Sequence, residues 1–119
     1  MIHASFEDGL TIRLTVQGHG IGEYGNDLIC AGTSTLVTTL ANWMLLLHAE
    51  GKLLRQPEIR LEPGDAVIDV RPKAMHWETV RSYFGFVLCG LDGLREIEPQ
   101  AIEIDIPADQ SAEDMDSPT

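Results

Sequence analysis

The chain has 119 residues, 44% of them apolar and 23% charged, with 8 Lys+Arg against 19 Asp+Glu and a formal charge of −11. This is one domain's length with an ordinary soluble composition, and its acidity opposes nucleic-acid phosphates, so no nucleic acid and a basic or neutral partner are expected. Two cysteines, Cys30 and Cys89, are too few for a disulfide framework, Met1 to Leu10 lacks a basic leader region, and no uninterrupted run approaches the roughly 18 apolar residues of a membrane span. A cytoplasmic protein with reduced thiols and no membrane partner is expected.

Ile2-His3-Ala4-Ser5-Phe6 alternates apolar and polar, the pattern of a half-buried strand. Asp8-Gly9 is a hairpin signal. Leu10, Ile12, Leu14 and Val16 then share one face of a second strand, with Thr11, Arg13, Thr15 and Gln17 on the other. That strand leads into a loop with glycines at 18, 20, 22 and 25. Asp27 is placed to cap a helix over Leu28–Glu50, with Gly51 as its stop. Apolar residues go nearly all the way round this helix, which predicts burial on more than one side.

Glu58–Glu62 and Ala66–Val70 alternate about the turn signal Pro63-Gly64, predicting a second hairpin. Trp77, Val80, Phe84, Val87, Leu88 and Leu91 return to helical spacing, with Gly93 as the expected stop. Ile102, Ile104 and Ile106 mark a last strand. The order ββαββαβ predicts an α+β fold: a mostly antiparallel sheet packed with two helices in a single domain, residues 1–106. Pro107–Thr119 carries four acids and no base. An acidic, disordered tail is expected over 107–119. Without those four acids the body holds 15 acids against 8 bases and remains at −7.

Chemistry concentrates in Gly18 to Leu36. Under the Asp27 cap, Cys30 falls in the first helical turn. There the field of the helix terminus favours a thiolate, and exposed amides could hold an oxyanion. The alternative is a small buried apolar residue, as most unpaired cysteines are. His19, flanked by Gly18 and Gly20, could come within the ~3 Å that a base needs; otherwise it is an exposed loop histidine. Gly22 and Gly25 extend the flexible loop. Ser34, one turn after Cys30, either supports the thiolate or substrate or bonds back to its own helix. Asp27 is first a cap and second a partner for His19. Cys89 reads as core packing. No Cys or His pair has metal-ligand spacing, so neither metal nor cofactor is expected.

These residues resemble the ribosomal-processing cysteine protease family. Its marks are a Gly-His-Ala-type turn after the second strand, a Gly-x-Asp segment running into Cys-Ala at a helix start, and Ser four residues past the Cys. They match Gly18-His19-Gly20, Gly25 to Ala31, and Ser34; Gly20 stands where Ala is usual. The resemblance implies a cysteine endopeptidase with Cys30 as nucleophile, His19 as general base, and Asp27 and Ser34 in support. It implies removal of the N-terminal extension, ending in paired aromatics, of the twenty-seventh large-subunit ribosomal protein, by a homodimeric hydrolase. Trp77, Tyr83, Phe84 and Phe86 are candidates for an aromatic pocket, with core packing as the alternative and the main role expected of them. The rival reading is a non-catalytic dimeric α+β module that binds a ribosomal protein.

Overall fold

A computed structural model describes residues 1–18 and 24–106, and for residues 24–27 the backbone alone. The expected tail from Pro107 onward lies outside these residues. Strands β1 (Ile2–Asp8) and β2 (Ile12–Gln17) form the first hairpin, followed by helix α1 (Tyr24–Ala49). Strands β3 (Glu58–Glu62) and β4 (Asp65–Val70) form the second. Helix α2 (Trp77–Ile97) and strand β5 (Ile102–Asp105) complete the ββαββαβ order. The sheet runs β3-β4-β2-β1-β5. It is antiparallel except at its last pair, where β5 lies parallel to β1. This is the α+β architecture expected from the sequence.

Alternation in the strands decides which face is covered. Ala4 and Phe6, Ile12 and Leu14, Ile68 and Val70, and Ile102 are buried in one cluster with side chains from both helices. Fully burying a side chain of this size contributes roughly 1.5–3 kcal/mol, so the helices lie on that face. The molecule is two layers deep, with a shortest dimension of 17 Å.

Helix α1 departs from expectation at its start and in its burial. It begins at Tyr24, so Asp27 lies inside the helix and is not its N-cap. Once the packed segment has nucleated, each further residue adds a backbone hydrogen bond, and this outweighs local capping at Asp27. The other end is as expected: the N–H of Gly51 donates to the His48 carbonyl (3.0 Å) and that of Lys52 to Leu47 (3.0 Å). Ile29, Val37, Leu40, Met44 and Leu47 are buried on one side. Leu28, Trp43, Leu45 and Leu46 are exposed on the others. Burial is therefore one-sided, against the expectation of burial on more than one side. By length and composition Leu28–Ala49 would suffice to cross a membrane (mean hydropathy 1.3), although one of its faces is packed into this core.

Helix α2 runs past Gly93 to Ile97. A Cβ at Gly93 would meet nothing within 4 Å, so the glycine occupies an open helical position and does not stop the helix. The helices approach closely at two other glycines. A Cβ on Gly90 would come to 2.8 Å of Leu36, and one on Gly32 to 3.0 Å of Leu94.

Strand β4 is buried on both faces. Beneath Ile68 and Val70, the opposite side holds Val67 and the carboxylate of Asp69. Asp69 Oδ2 accepts hydrogen bonds from the Thr11 hydroxyl (3.0 Å) and from Arg13 (2.9 Å). Arg55 approaches Oδ1 at 4.0 Å. One carboxylate thus ties the β1–β2 loop and β2 to β4. Asp69→Ala is expected to lower unfolding free energy by about 1.5–3 kcal/mol, the range for hydrogen bonds to a charged group. Urea denaturation checks it, and a loss below about 0.5 kcal/mol, the size of an ordinary surface change, would refute this role.

Candidate active site

Cys30 is half-buried on α1. It opens with Thr33, Ser34, Val37 and Thr38 onto a cleft of about 380 Å³. Spacings of three and four residues put these side chains on one helical face. Leu61 and Glu62 of β3, the turn Pro63-Gly64, and Asp65 and Ala66 of β4 line it as well, and Ile2, Val16 and Gly18 complete it.

A local constraint joins β2 to the β3–β4 turn. Gly64 has φ +76°, as the second central residue of a Pro-Gly type II turn requires. The N–H of Gly18 donates to the Gly64 carbonyl at 3.0 Å. Gly18 itself has φ +102°, and a Cβ there would lie 2.1 Å from the Met1 carbonyl oxygen. Only glycine fits.

The charged residues lining the cleft, among those described, are both acids: Glu62 and Asp65. Asp65 pairs with Arg60 at 3.1 Å, while Glu62 is exposed. The apolar lining is aliphatic.

The structure brings Cys30, Ser34 and Gly18 to one cleft. His19, Gly20 and Gly22 lie outside the described residues. Gly25 and Asp27 fall in the first turn of α1, and the Asp27 side chain is not among those described. Cys30 sits six residues after Tyr24, beyond the first turn, where the field and orphan amides of a helix start are concentrated. The expected first-turn placement of Cys30 is therefore corrected, and so is an oxyanion site built from those amides. None of the four aromatics considered for a pocket lines the cleft. Phe84 is in the core, 6.1 Å from Phe6 between ring centroids. Trp77 Nε1 donates to Asp8 at 3.1 Å, and Phe86 is exposed. Cys89 is also exposed, not packed, because its helix turns that position away from the sheet. His3 pairs with Glu103 at 3.1 Å and is not among the residues that line the cleft.

Sequence reading missed Thr33, Glu62, Asp65 and the Pro63-Gly64 turn as cleft residues. Each had a local explanation as helix, strand or turn, and their convergence depends on β4 pairing with β2, which no local pattern signals.

Comparison with known proteins gives one family and several solved structures of like fold. A family described as cysteine protease Prp matches residues 1–103. The essential ribosomal processing protease Prp from S. aureus, solved in complex with a substrate peptide, is 20% identical, covering 89% of this chain and 99% of that one with a TM-score of 0.66. SMU.848 from Streptococcus mutans is 28% identical over 89% of this chain and 93% of that one, with a TM-score of 0.64. A hypothetical protein from Staphylococcus aureus is 16% identical over 89% and 99%, with a TM-score of 0.57. At these identities the two staphylococcal structures establish likeness of fold. No curated protein matches the chain. With 103 of 119 residues matched by one family and its fold shared with solved relatives, the chain belongs to the cysteine protease Prp family.

Proposed function

We propose that the protein is a cysteine endopeptidase that removes an N-terminal extension from a large-subunit ribosomal protein, the twenty-seventh, with Cys30 as nucleophile and His19 as base. The observation that carries this reading is the half-buried Cys30 in a cleft with Ser34 and Gly18. A volume of about 380 Å³ suits a few residues of extended peptide and falls within the usual range for ligand sites. His19 is supported by its attachment to Gly18, which lines the same cleft. Gly18 owes its place to a conformation that only glycine adopts, so the preceding strand delivers the chain there.

The chemistry follows from the residue types. His19 removes the Sγ proton, and sulfur attacks the scissile carbonyl carbon to form a tetrahedral intermediate. That intermediate collapses as the C–N bond breaks and the leaving amine takes the proton from His19. Water, deprotonated by His19, then hydrolyses the thioester and the Sγ–H is restored. Ser34 is positioned on the cleft wall as a hydroxyl donor. Asp27 is a supporting residue by its place in the matching segment. No metal or cofactor enters these steps.

Glu62 and Asp65 favour a substrate with basic flanks, as a ribosomal protein would offer. A homodimer is proposed from the outer faces of the helices. There Trp43 and Tyr83 meet edge to face, with centroids 5.6 Å apart. Leu46 is 52% and Phe86 78% exposed, each one turn from a member of that pair. Burying such residues against a second copy recovers apolar area that the monomer leaves in water.

Incubation with a peptide spanning the aromatic-ended extension tests the catalytic reading. The wild type is expected to cut it under reducing conditions, Cys30→Ala to leave it whole, and His19→Ala to be slower by about 10²–10⁴-fold. A wild type that binds the peptide without cutting supports the non-catalytic module instead. Glu62→Gln is expected to raise KM about two- to fivefold at low salt, the scale of an exposed ion pair, with the difference vanishing at high salt; an unchanged KM would remove Glu62 from recognition. In sedimentation equilibrium the wild type is expected to behave as a dimer and Phe86→Glu as a monomer, whereas a monomeric wild type excludes the pairing.

A further inference from the structure

Thr33 is the odd member of the buried stripe of α1. Ile29, Val37, Leu40 and Met44 are apolar, and Thr33 among them is only 6% exposed. Its Oγ1 is buried and has no hydrogen-bond partner. Threonines inside helices usually satisfy the hydroxyl on the carbonyl four residues back. Thr35 does so, donating to Ala31 O at 2.8 Å. Thr33, two residues earlier on the same helix, does not. Its side chain instead lines the cleft beside Cys30 and Ser34.

An unpartnered buried hydroxyl costs stability, and valine would fill the same space without that cost. The helix gains nothing from the oxygen. The residue stands on the cleft wall one turn from Cys30, near Val37 and Leu61, and its oxygen, shielded as the side chain stands, turns with χ1 between the two rotamers that threonine takes in helices.

We propose that the Thr33 hydroxyl is a substrate-binding group that donates a hydrogen bond to a backbone carbonyl of the peptide lying in the Cys30 cleft. The inference rests on the reading of that cleft as the substrate groove, and adds to it a residue that fixes the peptide's register. A backbone carbonyl fits a neutral donor set among aliphatic side chains. A charged substrate group would find no countercharge at Thr33, because the charged lining residues among those described are Glu62 and Asp65 on the strand side. The contact forms on binding and is held equally in the ground and transition states. Its loss therefore appears in affinity and not in turnover.

The test compares Thr33→Val and Thr33→Ser in two backgrounds, with the peptide spanning the aromatic-ended extension as probe. In the Cys30→Ala background, fluorescence anisotropy reads peptide binding without cleavage. Thr33→Val is expected to raise Kd about tenfold, the scale of one hydrogen bond left unmade, and Thr33→Ser to restore it to within about twofold. In the active enzyme Thr33→Val raises KM by the same factor with kcat unchanged. Its Tm equals or exceeds that of the wild type, because an orphan hydroxyl has been removed. Equal Kd for threonine and valine overturns the proposal, as does a loss concentrated in kcat. A Tm lowered by Thr33→Val overturns it too, since the hydroxyl would then serve the fold. Absence of cleavage by the wild type refutes the protease reading, and the binding arm then decides Thr33 by itself. Absence of both cleavage and binding refutes both.

Discussion

Gly18 follows strand β2 and lines the cleft in a conformation closed to every other residue. Its φ is +102°, and the space a Cβ would need is filled by the Met1 carbonyl oxygen at 2.1 Å. Its N–H is spent on Gly64, the glycine of the β3–β4 turn. This packing holds the end of β2, the start of β1 and the tip of the second hairpin together. The cleft beside Cys30 exists because those three segments meet the face of α1 there. A bulkier residue at 18 would separate them, and the wall facing the sulfur would move.

Helix α1 serves two demands with one stripe. Its buried side chains close the core over the sheet, and the N-terminal part of the same stripe carries Cys30, Thr33 and Val37 onto the cleft wall. Cys30 stands on a helix that is packed along most of its length, so it is held by the core and not by a loop. Rigid support of this kind is what a reacting group needs. The close contacts at Gly32 and Gly90 add to it, because a Cβ at either would press on a leucine side chain of the facing helix. The outer surface of the helix pair, from Trp43 to Phe86, was left apolar by the same sequence, consistent with a helix whose composition exceeds the burial available in one copy.

Asp69 shows how an acidic chain manages a buried charge. A carboxylate at 6% exposure would be costly without partners. Thr11 and Arg13 satisfy one oxygen, and Arg55 lies near the other. The alternation Ile68, Val70 identified one buried face of β4 correctly. The second buried face, Val67 and Asp69, could not be read, because it depends on side chains that arrive from β2 and from the segment before β3.

Local patterns determined a good deal. Alternation placed the strands, the Pro63-Gly64 turn joined β3 to β4, Gly51 ended α1, and the ββαββαβ order followed. Gly18, Cys30 and Ser34 line one cleft; helical spacing related Cys30 to Ser34, and only the family resemblance joined Gly18 to them. Helix boundaries were less legible, since a competent cap at Asp27 and a glycine at 93 are weak signals beside the cooperative gain of extending a packed helix. Burial of Phe84 and exposure of Phe86 and Cys89 were decided by which side of α2 faces the sheet, a matter of tertiary packing. The same holds for the cleft. Sequence alone named the sulfur, but the wall that faces it comes from a hairpin more than thirty residues away, brought there by strand pairing and by one glycine that has no side chain to obstruct it.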